Sequence, residues 1–158
     1  YFEWLGAGLY SADRRSAALH GRSYFLHELR YGFGEEFFYV RVDTFPEVLP
    51  KLRDCEFRVT VRAGEELRVL IHVEEGRLVG YHVESDAVSL VSPAQLVIVA
   101  LDKILEVAFS RKLFTLARGT SLTLGVALWE GGLPMDVLPA ESWLDVQLGT
   151  EAFAWPEG

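Results

Sequence analysis

Carboxylates, histidines, one cysteine, one methionine, two glycines and a set of tryptophans are the residues of this sequence that could do chemistry. Glycosidic cleavage needs two carboxyl groups roughly 5–10 Å apart, one of them protonated. Glu28, Asp43, Asp102, Glu106 and Asp145 are available, yet no spacing selects a pair, and solvated strand faces account for most of them. Glu106 differs, because it lies inside the apolar stretch "KILEVAF". It is expected to be partly buried and to accept structural hydrogen bonds. No catalytic residue is assigned.

Metal and redox chemistry find little footing. His20, His27, His72 and His82 form no His-x-x-x-His pair, and the single cysteine allows no Cys-x-x-Cys, so no zinc site is expected. His27 reads as a core-edge histidine and His82 as a polar-face residue opposite Arg68. Met135 stands alone in a proline-flanked loop, a weak basis for a haem ligand. No metal-ligating residue and no cofactor is assigned. Calcium stays open, since loop carboxylates and carbonyls that hold it leave little trace in spacing. Cys55 alternates with Phe57, Val59 and Val61 and reads as a buried structural thiol. Gly6-x-Gly8 lacks the third small residue and the βαβ context of a dinucleotide site. Two glycines in a strand, allowing a bend or a close backbone approach, is the better reading.

Trp129 and Trp143 carry the most information. In "SLTLGVALW", Leu122, Leu124, Val126 and Leu128 share one phase and Trp129 takes the other. In "SWLDVQL", Leu144, Val146 and Leu148 share a phase, with Trp143 opposite beside Asp145 and Gln147. Both indoles therefore point away from the core face. They sit at the facing ends of two strands joined by a loop, which could make them neighbours. Exposed indoles stack on sugar rings, anchor interfaces or lie beneath loops. Trp129 and Trp143 are the candidate ligand-binding or interface residues.

The elements that must position these residues are mostly strands. From about residue 24 onward the dominant period is two. "CEFRVTV" sends Cys55, Phe57, Val59 and Val61 one way and Glu56, Arg58, Thr60 and Arg62 the other. "ELRVLIHV" continues with Leu67, Val69, Ile71 and Val73 inward. A three-residue loop at 74–76 predicts Ile71 opposite Val79, Val69 opposite Tyr81 and Leu67 opposite Val83. A four-residue loop at 32–35 predicts Leu29 opposite Phe38, His27 opposite Val40 and Phe25 opposite Val42. Further strands are predicted at 87–91, 96–101, 104–109, 121–129 and 142–148, with Pro93, Pro134 and Pro139 between strands. Ser11 could cap a short helix over 13–20, and a turn of helix is predicted over 47–53. The tail "TEAFAWPEG" is a final strand or a terminal arm. This pattern predicts an all-β, antiparallel β-sandwich with at most one or two short helices.

Composition sets the outer limits. The chain has 158 residues, half of them hydrophobic, which suits one domain with a substantial core. Its formal net charge is −8 with no basic cluster, so nucleic acid is not an expected partner. No apolar run approaches the ~20 residues of a membrane-spanning helix, so no membrane partner is expected. One cysteine fits a reducing compartment. The sequence begins without Met or a signal segment, which reads as a piece cut from a longer protein, 1–158 forming a single β-sandwich.

"EWLGAGLY", "SAALHGRSYFLHELRYGFG" and "FFYVRVD" together resemble the C-terminal region of family 57 glycoside hydrolases, the prokaryotic chains of α-amylase and α-mannosidase type. The resemblance continues at "ILEVAFSRKLF" and "LTLGVALWEGGLPMDVLP". The order of strands also looks like the DOMON-type sandwich, related to family 9 carbohydrate-binding modules and to the glucodextranase C-terminal domain. The resemblance implies a cytoplasmic, non-catalytic accessory sandwich that packs on and supports an upstream catalytic domain of the same chain. Alternatively it implies a carbohydrate-binding module that recognises an α-glucan through exposed tryptophans. The family's catalytic Glu and Asp belong to the upstream barrel, and no segment here matches their motifs. Binding modules of this type hold sugar with paired tryptophans, a role that only Trp129 and Trp143 offer to fill.

Overall fold

The computed structural model describes residues 8–11, 24–85, 96–114, 121–140 and 143–147. The strands in chain order are β1 (Gly8–Ser11), β2 (Leu26–Phe33), β3 (Phe37–Thr44), β4 (Asp54–Ala63), β5 (Glu65–Glu74), β6 (Arg77–Ser85), β7 (Val97–Leu101), β8 (Leu105–Ser110), β9 (Ser121–Glu130), β10 (Leu133–Leu138) and β11 (Leu144–Gln147). A single α-helical turn among the described residues, α1 (Val48–Lys51), follows Pro46 within the predicted 47–53. The strands form two antiparallel sheets, β1-β2-β3-β8-β7 and β10-β9-β4-β5-β6. The short strand β11 pairs the first half of β9 on the edge whose second half β10 occupies. The protein is an all-β sandwich.

Period-two alternation builds its interior. Phe57, Val59 and Val61 of β4 face Ile71, Val69 and Leu67 of β5 on one side and Leu128, Val126 and Leu124 of β9 on the other. All nine are buried. The opposing sheet supplies Leu29, Phe38, Val40, Val42, Leu105, Val107 and Phe109, also buried. The Phe38 ring lies 4.6 Å from Phe33 and 6.2 Å from Phe109 between centroids. The two inner faces form one cluster, as expected where sheets pack face to face.

Three hydrogen bonds tie the sheets at opposite edges. On one side the Tyr81 hydroxyl of β6 donates to the Val97 carbonyl beside it at 2.7 Å. On the other, the Asp136 carboxylate of β10 accepts from the backbone N–H groups of Phe25 and Leu26 at 3.0 and 2.8 Å. Asp136 gets there through an irregularity. The pairing of β10 with β9 shifts at Met135, so Asp136 stands opposite inward-facing Leu128. A bulge that re-aims one side chain is a recurrent use of this defect.

Both predicted hairpin registers are corrected. The β5–β6 turn has two residues, Glu75 and Gly76, both at positive φ (50° and 78°), the requirement of the tight hairpin turn that matches strand twist. Val79 is an extra residue on β6, between Val73↔Leu78 and His72↔Gly80. Ile71 therefore faces Tyr81, Val69 faces Val83, and Leu67 faces Ser85, while Val79 is exposed. The β2–β3 loop falls two residues later than predicted, so Phe33 pairs Phe38 and Leu29 pairs Val42. A shift at His27 then brings Leu26 into the core.

Ser11 lies in β1 opposite Glu28. The predicted helix at 13–20, the strand at 87–91 and the tail lie outside the described residues. Strands predicted at 96–101, 104–109, 121–129 and 142–148 correspond to β7, β8, β9 and β11. The sequence predicts no strand at β10, because Pro134 reads as a loop residue. It is tolerated on this outermost strand, where a missing N–H does least harm. Gly8 is a site of close approach, its Cα covered by the ring of Tyr31.

Candidate functional site

The outer face of the six-stranded sheet is built from the alternate residues that the core does not use. Register sets them in rows. Trp129, Glu56, His72 and Gly80 form one row across β9, β4, β5 and β6, followed by Ala127, Arg58, Leu70 and His82. Gly125, Thr60, Arg68 and Glu84 come next, then Thr123, Arg62 and Glu66. His82 is thus on the polar face as predicted, but opposite Leu70 rather than Arg68.

Both candidate tryptophans lie on this face. Trp143 precedes β11, whose pairing Leu144↔Leu124 sets it beside Gly125. Atoms Cζ3 and Cε3 of its ring lie over that glycine, where an added Cβ would come within 2.7 and 2.8 Å. Trp129 stands four residues further along β9, roughly 13 Å away at the rise of an extended strand. The rings share a face without being neighbours, because β11 runs back beside the far half of β9. Each has an arginine on it. The Arg58 guanidinium lies 3.9 Å from the centroid of Trp129, and that of Arg62 lies 4.1 Å from Trp143.

A chain of polar contacts joins the two indoles. Arg58 Nε donates to Glu56 Oε1 at 2.6 Å, and Glu56 Oε2 is 3.3 Å from His72 Nε2. The His72 and His82 rings stack at 6.5 Å, and His82 lies 3.8 Å from Glu84. Glu84 is 3.8 Å from Arg68, which donates to Glu66 at 2.9 Å. Glu66 is 3.6 Å from Arg62. Exposed pairs of this kind contribute at most about 1 kcal/mol each; what they supply is orientation of the arginines over the rings.

Between Trp143 and the corner after β10 the face sinks into a cleft of about 340 Å³. Its floor is Thr60, Gly125 and Ala127, and Val137 and Pro139 line it opposite Trp143. Arg58 borders this cleft and also a smaller hollow of about 180 Å³ beside Trp129, Glu56 and His72. The sequence reading missed Arg58, Thr60 and Arg62 as site residues. Their phase was legible, since they alternate with the Cys55–Val61 stripe, but only cross-strand register brings them to the tryptophans.

Other candidates fall elsewhere. Cys55 is buried, and burial, then the Glu130 and Asp54 charges, push its thiol from the ordinary 9.0 up to about 12, which suits an inert core residue. His27 packs against the Phe45 ring at 4.6 Å. Met135 is exposed at the β10 irregularity. Glu106 is half-buried on the opposite outer face, across from Arg41. No cluster of three or more potential metal ligands occurs among the described residues. None of their helices is long and apolar enough to cross a membrane.

Comparison with protein-family models, with curated proteins and with solved structures finds no match.

Proposed function

We propose that this β-sandwich is a non-catalytic accessory module of a carbohydrate-active enzyme of the family 57 glycoside hydrolase type, and that the outer face of its six-stranded sheet contacts α-glucan. The observation that carries the reading is the cleft beside Trp143. It combines an indole wall, apolar sides, one hydroxyl and one arginine on a rigid sheet, the mixture expected of a pre-formed small-ligand site. A pyranose offers the matching chemistry, with C–H groups for the ring and hydroxyls for the polar atoms. The resemblance of residues 3–43 supports the choice of parent enzyme.

A second reading is docking on the upstream catalytic domain of the same chain. Leu133, Met135 and Val137 favour it, being exposed along edge strand β10, with Val137 at the Trp143 cleft. Titration with malto-oligosaccharides, followed by tryptophan fluorescence, tests the choice. A saturable change with a dissociation constant on the order of 0.1–1 mM, lost in Trp143→Ala, supports glucan contact. Silence toward every glucan, together with binding to the separately produced catalytic domain that Trp143→Ala weakens, supports docking instead.

A further inference from the structure

Thr60 is the one buried polar side chain that lines the cleft, with only 6% of its surface exposed. Its hydroxyl makes no hydrogen bond to any described residue, and since Arg30 Nε is the only fully buried side-chain polar atom without a partner among them, the Thr60 oxygen reaches the cleft surface. A hydroxyl held at the floor of an open cleft, with its hydrogen-bonding capacity unspent on the protein, is free to meet a ligand atom. Arg58 makes an independent case. Of its five N–H donors, Nε is held by Glu56 and the plane of the guanidinium rests on Trp129. The terminal amines make no hydrogen bond among the described residues, and the side chain borders the cleft. An arginine with its position fixed from two directions and its fork unspent is pre-organised for a pair of adjacent acceptor oxygens. Glu56 balances its charge, which favours a neutral ligand over an anion.

Size narrows the ligand further. A hexopyranose packed at crystal density takes up about 200 Å³, so 340 Å³ seats one unit with room for water and falls short of two. Trp129, roughly 13 Å from Trp143 along β9, is absent from the cleft lining. We infer that the cleft binds a single pyranosyl unit, its C–H face on Trp143, two vicinal hydroxyl oxygens on the Arg58 amines and a third hydroxyl on Thr60. This rests on the glucan reading above and replaces a platform of two tryptophans by recognition of one terminal sugar.

Chain length and two conservative variants test it. Methyl α-glucoside, maltose and maltohexaose are titrated into the wild type, Thr60→Val and Arg58→Lys, with unfolding midpoints checked for each. The three ligands should bind the wild type within about threefold of one another, since only one unit is held. Thr60→Val, isosteric and lacking the hydroxyl, should weaken all three about fivefold to tenfold. Arg58→Lys keeps the charge beside Glu56 but loses the fork, and should weaken them about tenfold or more. Wild-type affinity in Thr60→Val overturns the inference whatever the ligand length. So does tenfold tighter binding of maltohexaose than of methyl α-glucoside, which would place the glucan across both tryptophans and leave the broader reading standing. If the wild type binds none of the three, the glucan reading falls and this inference with it.

Discussion

On the five-stranded sheet Arg41 gives Nε and a terminal amine to Asp43, two residues further along the same strand, at 2.7 and 3.1 Å. On the six-stranded sheet Arg58 gives only Nε to Glu56, two residues back on its strand, at 2.6 Å. The local device is the same, an arginine and a carboxylate on one face of one strand. The first pair closes into a two-pronged fork. The hydrogen-bonded Asp43 raises the Arg41 pKa above its ordinary value, against the opposing effect of burial, with Glu106 and Glu28 adding to the rise. In the second pair Glu56 turns its other oxygen to His72 at 3.3 Å while Trp129 lies under the guanidinium, so only Nε is engaged. The five-stranded face has its own imperfection, since Arg30 reaches Glu28 only at 3.4 Å and its Nε is buried without a partner among the described residues. An arginine–carboxylate pair two residues apart thus says nothing by itself about binding. The neighbours of the pair, here His72 on the carboxylate and Trp129 on the guanidinium, decide whether the donors are spent inside the protein or left available.

The largest expected effect falls on what holds the two faces together. Asp136→Ala removes the acceptor of two backbone N–H groups at the start of β2, and hydrogen bonds to a charged group are among the stronger ones. A loss of about 2–3 kcal/mol is expected by urea unfolding. An unchanged midpoint would show that the clasp is not a tie between sheets.

On the open face, Gly125→Ala puts a methyl group into the Trp143 ring at 2.7 Å. The indole must move, at a cost of about 1–3 kcal/mol, and glucan titration should then show no saturable signal. Stability and titration both equal to the wild type would mean that Gly125 does not seat the ring. On the closed face, Arg41→Ala should cost about 1–2 kcal/mol by stranding Asp43, while leaving glucan binding as it was. A change in binding there would erase the contrast between the faces.

At neutral pH no effect is expected from the core that both faces share, and one emerges only in alkali. Below pH 9.0 the Cys55 thiol is neutral in folded and unfolded chains alike. Above it the unfolded thiol ionises while the folded one stays protonated up to about 12. Stability should therefore fall as pH rises through this window, by up to about 1.4 kcal/mol per unit. The slope difference between the wild type and Cys55→Ala, measured by unfolding from pH 8 to pH 11, isolates it. Parallel slopes would place the thiol in a wetter site.

The phase of each long strand was determined by the sequence alone. Cys55, Phe57, Val59 and Val61 had to face one way, Leu122 to Leu128 likewise, and Trp129 and Trp143 the other way, because the pleat alternates side chains whatever the strand pairs with. From that followed two wet faces, a dry interior and the sandwich. Pairing and register were decided only by the tertiary structure. One extra residue at Val79 and one at Met135, neither marked by a special residue type, shift every partner beyond them. β4 pairs with β9 more than sixty residues away, a match settled by how nine core side chains fit, which no local signal encodes. The cleft has the same origin. Thr60, Gly125, Val137 and Trp143 come from four strands or their ends, each legible in phase, and only the shared edge of β9, divided between β10 and β11, brings them to one place.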